Sequence, residues 1–325
     1  MEFSSLNCPQ CGGLLPRAAL WRMVRCPYCT AMVTRSTLVV EARAFHEAWL
    51  RTRIEADASM RTIRLGDIHY RILARLGGGN ASEAFLADRL DPLPERVVIR
   101  HALDGSPPGV LAREYAVLGA LQALEGPGAA YFSQRLPQAI SLAQSPQMGR
   151  EALVTRHIPG CWGSLADVLQ RQGQGIDPRH GVWIWRRILD TLGYLHANGW
   201  VHGDLHPGHV LVQPGDHGAF LIGWSRARID SDPKAMADDL ARSAWCVRAL
   251  LHGAGGDEPG TGVRTPPAFA KLLRQVSENT DGATDMGAQG IDSALKAAAR
   301  EGFGPPRFIH FDPEHSGTTS RKDGT

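Results

Sequence analysis

YLHANGWVHGDLHPGHVLVQPGDHGAFLIGWS, Tyr194 to Ser225, is the stretch on which the rest of the chain turns. It leaves a helix that reaches Ala197 and passes through a polar segment holding His202, Asp204, His206 and His209. It then closes in two strand-like runs, HVLVQP and GAFLIGW, joined at the turn PGDHG. A plain helix-to-strand connection does not need so many polar side chains. Upstream, Asp177 and Pro178 supply an N-cap and first turn for the helix, which buries Val182, Ile184, Ile188, Leu189, Leu192 and Leu195. Downstream the pattern stays helical over roughly Ala235–His252, Pro267–Glu278 and Asp292–Arg300, interrupted by the loop GAGGDEPGTG.

Toward the N-terminus the period changes. Between Tyr70 and Ala102 the runs YRILARL, AFLADRL and RVVIRHAL, punctuated by Gly, Asn and Pro, predict an antiparallel meander. Gly109 to Leu124 follows as a helix with Val110, Leu111, Val117, Leu118 and Leu121 on one side, EALVTRHI as a strand, and SLADVLQRQ as a short helix capped by Ser164. Strands first and helices after is an α+β arrangement in two lobes.

HGDLHPGHV (His202–Val210) followed by LIGWS (Leu221–Ser225) resembles the HRDLKPEN and DFG segments of the protein-kinase-like fold. The resemblance runs from about Tyr70 to Phe308 and implies a bilobal domain, an N-lobe of antiparallel sheet plus one helix and a helical C-lobe. LGGGNASEAFLA then resembles the glycine-rich loop, with Gly77 and Gly79 at its first two glycines, Ser82 at the third and Ala84 for the Val that packs on adenine. VVIR resembles VAIK, so Arg100 stands where the fold has its phosphate-gripping Lys, and Glu114 matches that residue's partner. Thr155 falls near the position controlling the back pocket, and Arg156, His157 and Ile158 line the nucleotide edge. Asp239 matches the buried Asp of the central helix, and only fifteen residues separate it from Gly223, too few for a regulated activation loop.

In the catalytic loop Asp204 matches the proton-accepting Asp, and Gly203 and His206 replace the Arg and the Lys. HGDLHPG resembles the small-molecule and atypical kinase branch, such as aminoglycoside phosphotransferases. His209 replaces the magnesium-binding Asn and Gly223 replaces the Asp of DFG. Magnesium wants oxygen ligands in an octahedron, and glycine offers no ligand at all. Losing that clamp removes several kcal/mol of transition-state stabilisation, on the order of a thousandfold in rate.

The resemblance therefore implies a pseudokinase that acts as a regulatory or scaffolding module for a protein partner, with at most weak, magnesium-independent ATP binding. The alternative is an active ATP-dependent serine/threonine or small-molecule kinase that uses Asp204 with carboxylates such as Glu83, Asp230 or Asp232 reaching into the cleft. His202, His206 and His209 are not expected to form a metal site: His202 matches a structural histidine of the fold, and the other two lie on a turn without an evident fourth ligand.

CPQC (Cys8, Cys11) and CPYC (Cys26, Cys29), fourteen residues apart, have the spacing at which two turns present four thiolates to one structural zinc ion. Residues 1–36 are expected to be a four-cysteine zinc ribbon, 37–66 a linker helix, 67–310 the kinase-like domain and 311–325 a disordered tail. Cys161 and Cys246 read as apolar packing residues.

With 35 basic and 33 acidic residues, a net charge of +2 and no single-sign block, composition gives no nucleic-acid or membrane signal. Nucleic-acid recognition by the ribbon, through Arg17, Arg22, Arg25 and Arg35, is the least supported function. The apolar runs are too short for a membrane span, Glu2 stands where a secretory signal wants basic residues, and the paired cysteines suit a reducing compartment; a cytoplasmic protein is expected.

Overall fold

A computed structural model describes residues 24–25, 32–33, 62–79, 81–91, 94–145, 150–173, 175–252 and 265–314. The chain divides into two compact units, Met1–Met60 and Arg61–Thr325. In the first, β1 (Val24–Arg25) pairs antiparallel with β2 (Met32–Val33), Val24 opposite Val33 and Arg25 opposite Met32. Cys8, Cys11, Cys26, Cys29 and residues 37–61 of the expected linker helix lie outside the described residues.

The second unit opens with a six-stranded antiparallel sheet in the order β3-β4-β5-β6-β8-β7. Its strands are β3 (Thr62–Leu65), β4 (Ile68–Gly78), β5 (Ser82–Arg89), β6 (Glu95–Ala102), β7 (Ala139–Ser145) and β8 (Arg150–Arg156). On β6 the alternation characteristic of a strand is clear: Val97, Ile99 and His101 are buried, and Val98 and Arg100 face the other side. Val97 and Ile99 join Ile63, Leu65, Tyr70, Ala87, Ala152 and Val154 in the sheet's own core. The linker helix expected to reach residue 66 is corrected here, because Thr62–Leu65 is the edge strand, paired Ile63 to Tyr70 and Leu65 to Ile68. Its alternating burial, with Ile63 and Leu65 inside, is what a strand of four residues can satisfy and a helical turn cannot.

After β6 comes α1 (Val110–Gln122), which buries Leu111, Glu114, Val117, Leu118 and Leu121, a stripe at three- and four-residue spacing. A four-residue helix α2 (Ala129–Phe132) precedes β7.

The remainder is helical. It comprises α3 (Leu165–Gln172), α4 (Pro178–Ala197), α5 (Pro233–His252), α6 (Pro267–Glu278) and α7 (Thr280–Phe303). Ser164 and Asp167 form a reciprocal capping box on α3, and Asp177 caps α4 by accepting from the Arg179 amide at 2.9 Å. α7 starts earlier than its periodicity suggests, capped by Asn279, and kinks at Gly287, whose φ of 58° and ψ of 177° break the helix.

One large core joins α4, α5, α6 and α7 with the apolar face of α1. Within it Trp185 donates its indole N–H to Ser243 at 2.9 Å, so a fully buried ring keeps its polar atom satisfied. Among the described residues five two- to four-residue strands complete the lobe: β9 (Gly163–Ser164), β10 (Trp200–Val201), β11 (Val210–Gln213), β12 (Gly218–Leu221) and β13 (Arg228–Ile229). β13 pairs with β10, which draws the chain after Gly223 back to the start of the loop that holds His202 to His209.

The tail expected to be disordered from 311 is corrected for residues 311–314. Phe311 is 2% exposed, Gln172 donates to the Pro313 carbonyl at 2.8 Å, and Trp162 donates to Glu314 at 2.8 Å. Residues 304–314 thus form a strap across the helical lobe. Cys246 is buried and Cys161 partly so, and burial pushes both thiols up to about 12, as suits packing residues.

Candidate functional site

The loop between β10 and β11 is fixed from beneath by Asp239 of α5. Its carboxylate is 1% exposed and accepts from the amides of His202 at 2.7 Å and Gly203 at 2.9 Å, with the His196 ring 3.3 Å away. These contacts hold the Asp239 carboxyl below the usual range against a burial effect that alone would raise it. Gly203 adopts φ +72°, and a Cβ there would lie 2.9 Å from the Arg226 carbonyl oxygen, so only glycine fits. His202 is wholly buried and held neutral by burial, with Nε2 donating to the Ile222 carbonyl at 3.1 Å and Nδ1 accepting from the Asp204 amide at 3.3 Å.

Asp204 is presented at the loop's tip. Its Oδ2 lies 3.8 Å from Nδ1 of His209 and 3.9 Å from Nε of Arg226, within electrostatic reach but beyond hydrogen-bond length. His206 caps a 3-10 turn (Pro207–His209), its Nδ1 accepting from the Gly208 amide at 3.1 Å. The His209 ring leans over the loop, Nδ1 donating to the Asp204 carbonyl at 2.7 Å, and burial lowers its pKa to about 4. Its main chain joins the segment after β12, where the Ile222 amide donates to the His209 carbonyl at 2.9 Å.

That segment ends at Gly223, φ +79°, where a Cβ would lie 2.4 Å from Nε2 of the His209 imidazole. The imidazole thus occupies the space into which a side chain at 223 would extend. The donors here are two imidazoles and a single carboxylate, and position 223 adds none, so the set does not fit the octahedral oxygen shell of magnesium.

Across the cleft, Arg100 on β6 and Glu114 on α1 form a two-pronged ion pair, Nη1 to Oε1 at 2.8 Å and Nη2 to Oε2. Glu114 lies in the buried stripe of α1, where a carboxylate is tolerated only when paired. It is near enough to His202 to act on it electrostatically. Gly77 and Gly79 lie at the turn of the β4–β5 hairpin, where Gly77 pairs with Ala84 and the Gly79 amide donates to Ser82 at 2.9 Å. Ala84 in turn faces Arg100 across β5 and β6. Thr155, opposite Val98, and His157, whose amide donates to Arg96 at 3.2 Å, mark the exit from β8. Burial lowers the His157 pKa.

The carboxylates considered as replacement metal ligands are engaged elsewhere. Glu83 pairs with Arg75 at 2.9 Å, Asp230 pairs with Arg228 at 2.8 Å, and Asp232 accepts from the Lys234 amide at 2.9 Å. Two participants carried no signal in the sequence: Arg226, beside Asp204, and Trp224, fully buried 4.6 Å from the His202 ring and donating to the Leu221 carbonyl at 3.0 Å.

The profile of the lipopolysaccharide kinase (Kdo/WaaP) family matches residues 132–244, from the end of α2 into α5. The serine/threonine-protein kinase PknD of Mycobacterium tuberculosis is 29% identical over 165 residues, which covers 50% of this chain and 23% of PknD. The chain thus spans less than a quarter of that relative's length. The STE20-related kinase adapter protein strd-1 of Caenorhabditis elegans is 39% identical over 51 residues, 15% of this chain and 13% of strd-1. No helix among the described residues is long and apolar enough to cross a membrane.

Proposed function

From the premise that the larger unit has a protein-kinase-like fold, we propose that this chain is a catalytically impaired form of it, serving as a regulatory or scaffolding module for a protein partner. The observation that carries the proposal is the His209 imidazole seated over Gly223, where a metal-binding carboxylate would need its room. Nucleotide binding in the cleft is weak and independent of magnesium. That one relative is named a kinase adapter agrees with a role exerted through binding. The N-terminal unit contributes a structural zinc on Cys8, Cys11, Cys26 and Cys29, a proposal supported by their spacing and by the hairpin that brackets the second pair. Four reduced thiolates suit a cytoplasmic setting.

A second reading, an active phosphotransferase, is favoured by Asp204 standing at the loop tip and by the formed Arg100–Glu114 pair. The two readings separate in a thermal-shift titration of the full chain with ATP in EDTA, magnesium or manganese, alongside a phosphate-transfer assay. We expect a small shift that magnesium does not enlarge. Metal-dependent stabilisation accompanied by transfer would establish the second reading instead. The triple variant Arg100→Lys, His209→Asn, Gly223→Asp should gain metal-dependent nucleotide affinity.

A further inference from the structure

The side chains that spoil the magnesium site make a different donor set. Asp204, His206 and His209 each offer one ligand atom, and the three atoms lie within 4.8 Å of one another. The two imidazoles stand 3.8 Å apart, centre to centre. The sequence reading expected no metal site from His202, His206 and His209; in the fold His202 stays a buried residue and Asp204 joins the other two. The folded loop adds the carboxylate.

The three donors sit on one loop whose backbone is anchored. Nδ1 of His209 lies 3.8 Å from Oδ2 of Asp204 and donates to the Asp204 carbonyl at 2.7 Å, so a ligand bond through Nδ1 would replace that single hydrogen bond. His206 is bound more lightly, by the Gly208 amide at 3.1 Å, and a cation would need to displace that single contact. Asp239 anchors the loop from beneath, so the donors need little rearrangement. Arg226 opposes a cation, but its side chain is 72% exposed and can turn into solvent.

We propose that Asp204, His206 and His209 form a binding site for a zinc-class divalent cation, with water completing its shell. Two imidazoles and one carboxylate suit zinc, cobalt, nickel or copper, and they discriminate against magnesium. The proposal rests on the reading that His209 has displaced the magnesium site.

The test is a cobalt(II) titration of the metal-free full chain, followed by absorption. Imidazole–carboxylate cobalt gives weak visible bands, and thiolate cobalt adds intense near-ultraviolet charge transfer. We expect a class of sites with visible bands and no thiolate signature, resistant to excess magnesium and retained in Cys8→Ser. His206→Ala, on the exposed turn, should weaken that class at least about tenfold while leaving any thiolate class unchanged. Only thiolate-type cobalt, or a nitrogen–oxygen class unchanged in His206→Ala, would overturn the proposal. Magnesium-dependent phosphate transfer would instead overturn the impaired-kinase reading, and an absent cobalt site would leave that reading standing.

Discussion

Gly223 and His209 are fourteen positions apart in the chain, yet no side chain can be added at 223 while the His209 ring keeps its place. A side chain at 223 must take both a left-handed backbone, φ +79°, and the volume of the His209 ring. Gly223→Ala should therefore cost about 2–4 kcal/mol, the sum of backbone strain and overpacking. In a His209→Ala background the packing part disappears, and the cost should fall to about 1–2 kcal/mol. A double-mutant cycle by urea denaturation checks this, and strictly additive losses would contradict the steric coupling. The same reasoning explains why restoring the aspartate alone would not rebuild a magnesium site: the imidazole must leave first.

The strap over residues 304–314 packs on α4 through aromatic rings. His217 stacks between Trp183 and Phe308, with ring centres 4.5 and 4.2 Å away, and its Nε2 donates to the Ile309 carbonyl at 2.8 Å. His180, near the start of α4, lies 4.7 Å from Phe311 and accepts from Trp183 at 3.2 Å. Burial pushes His180 down to about 4 from its ordinary 6.5; Asp177 opposes the shift, and His217, Arg179 and His310 add to it. A histidine held neutral in the fold is protonated first in the unfolded chain. Its contribution is complete above pH 6.5 and is lost as pH falls toward 4, amounting to about 3 kcal/mol at most. Melting temperature should decline across that window in the parent chain and decline less in His180→Gln. Parallel curves for the two proteins would exclude His180 as the cause.

Both lobes of the larger unit lie within Arg61–Thr325, and every strand of the six-stranded sheet finds its neighbours there. A fragment of residues 61–314 should unfold cooperatively. One that starts at residue 67 loses β3 and exposes the pockets of Ile63 and Leu65, a loss of about 3–6 kcal/mol at 1.5–3 kcal/mol for each buried side chain. Chemical denaturation of the two fragments measures the difference, and equal stability would show β3 to be dispensable.

The order of β4, β5, β6 and β8 and of the longer helices, the caps on α3 and α4, the core stripes of α1 and α4 and the loop from His202 to His209 were legible in the sequence. Each depends on residues a few positions apart, where helical or strand period and capping chemistry act directly. Other features were not legible because they join distant positions. Thr62–Leu65 is too short to show a period and becomes a strand through its pairing with Ile68–Gly78. The strap is polar enough to pass for a loose tail until Phe311 is buried and residues 312–314 meet Trp162 and Gln172, some 140 to 152 positions earlier. In the sequence, His209 and Gly223 stand where the resemblance to the kinase-like fold expects magnesium ligands. Folding decided that one replacement fills the space left by the other, because steric exclusion depends on where side chains lie and not on their spacing along the chain.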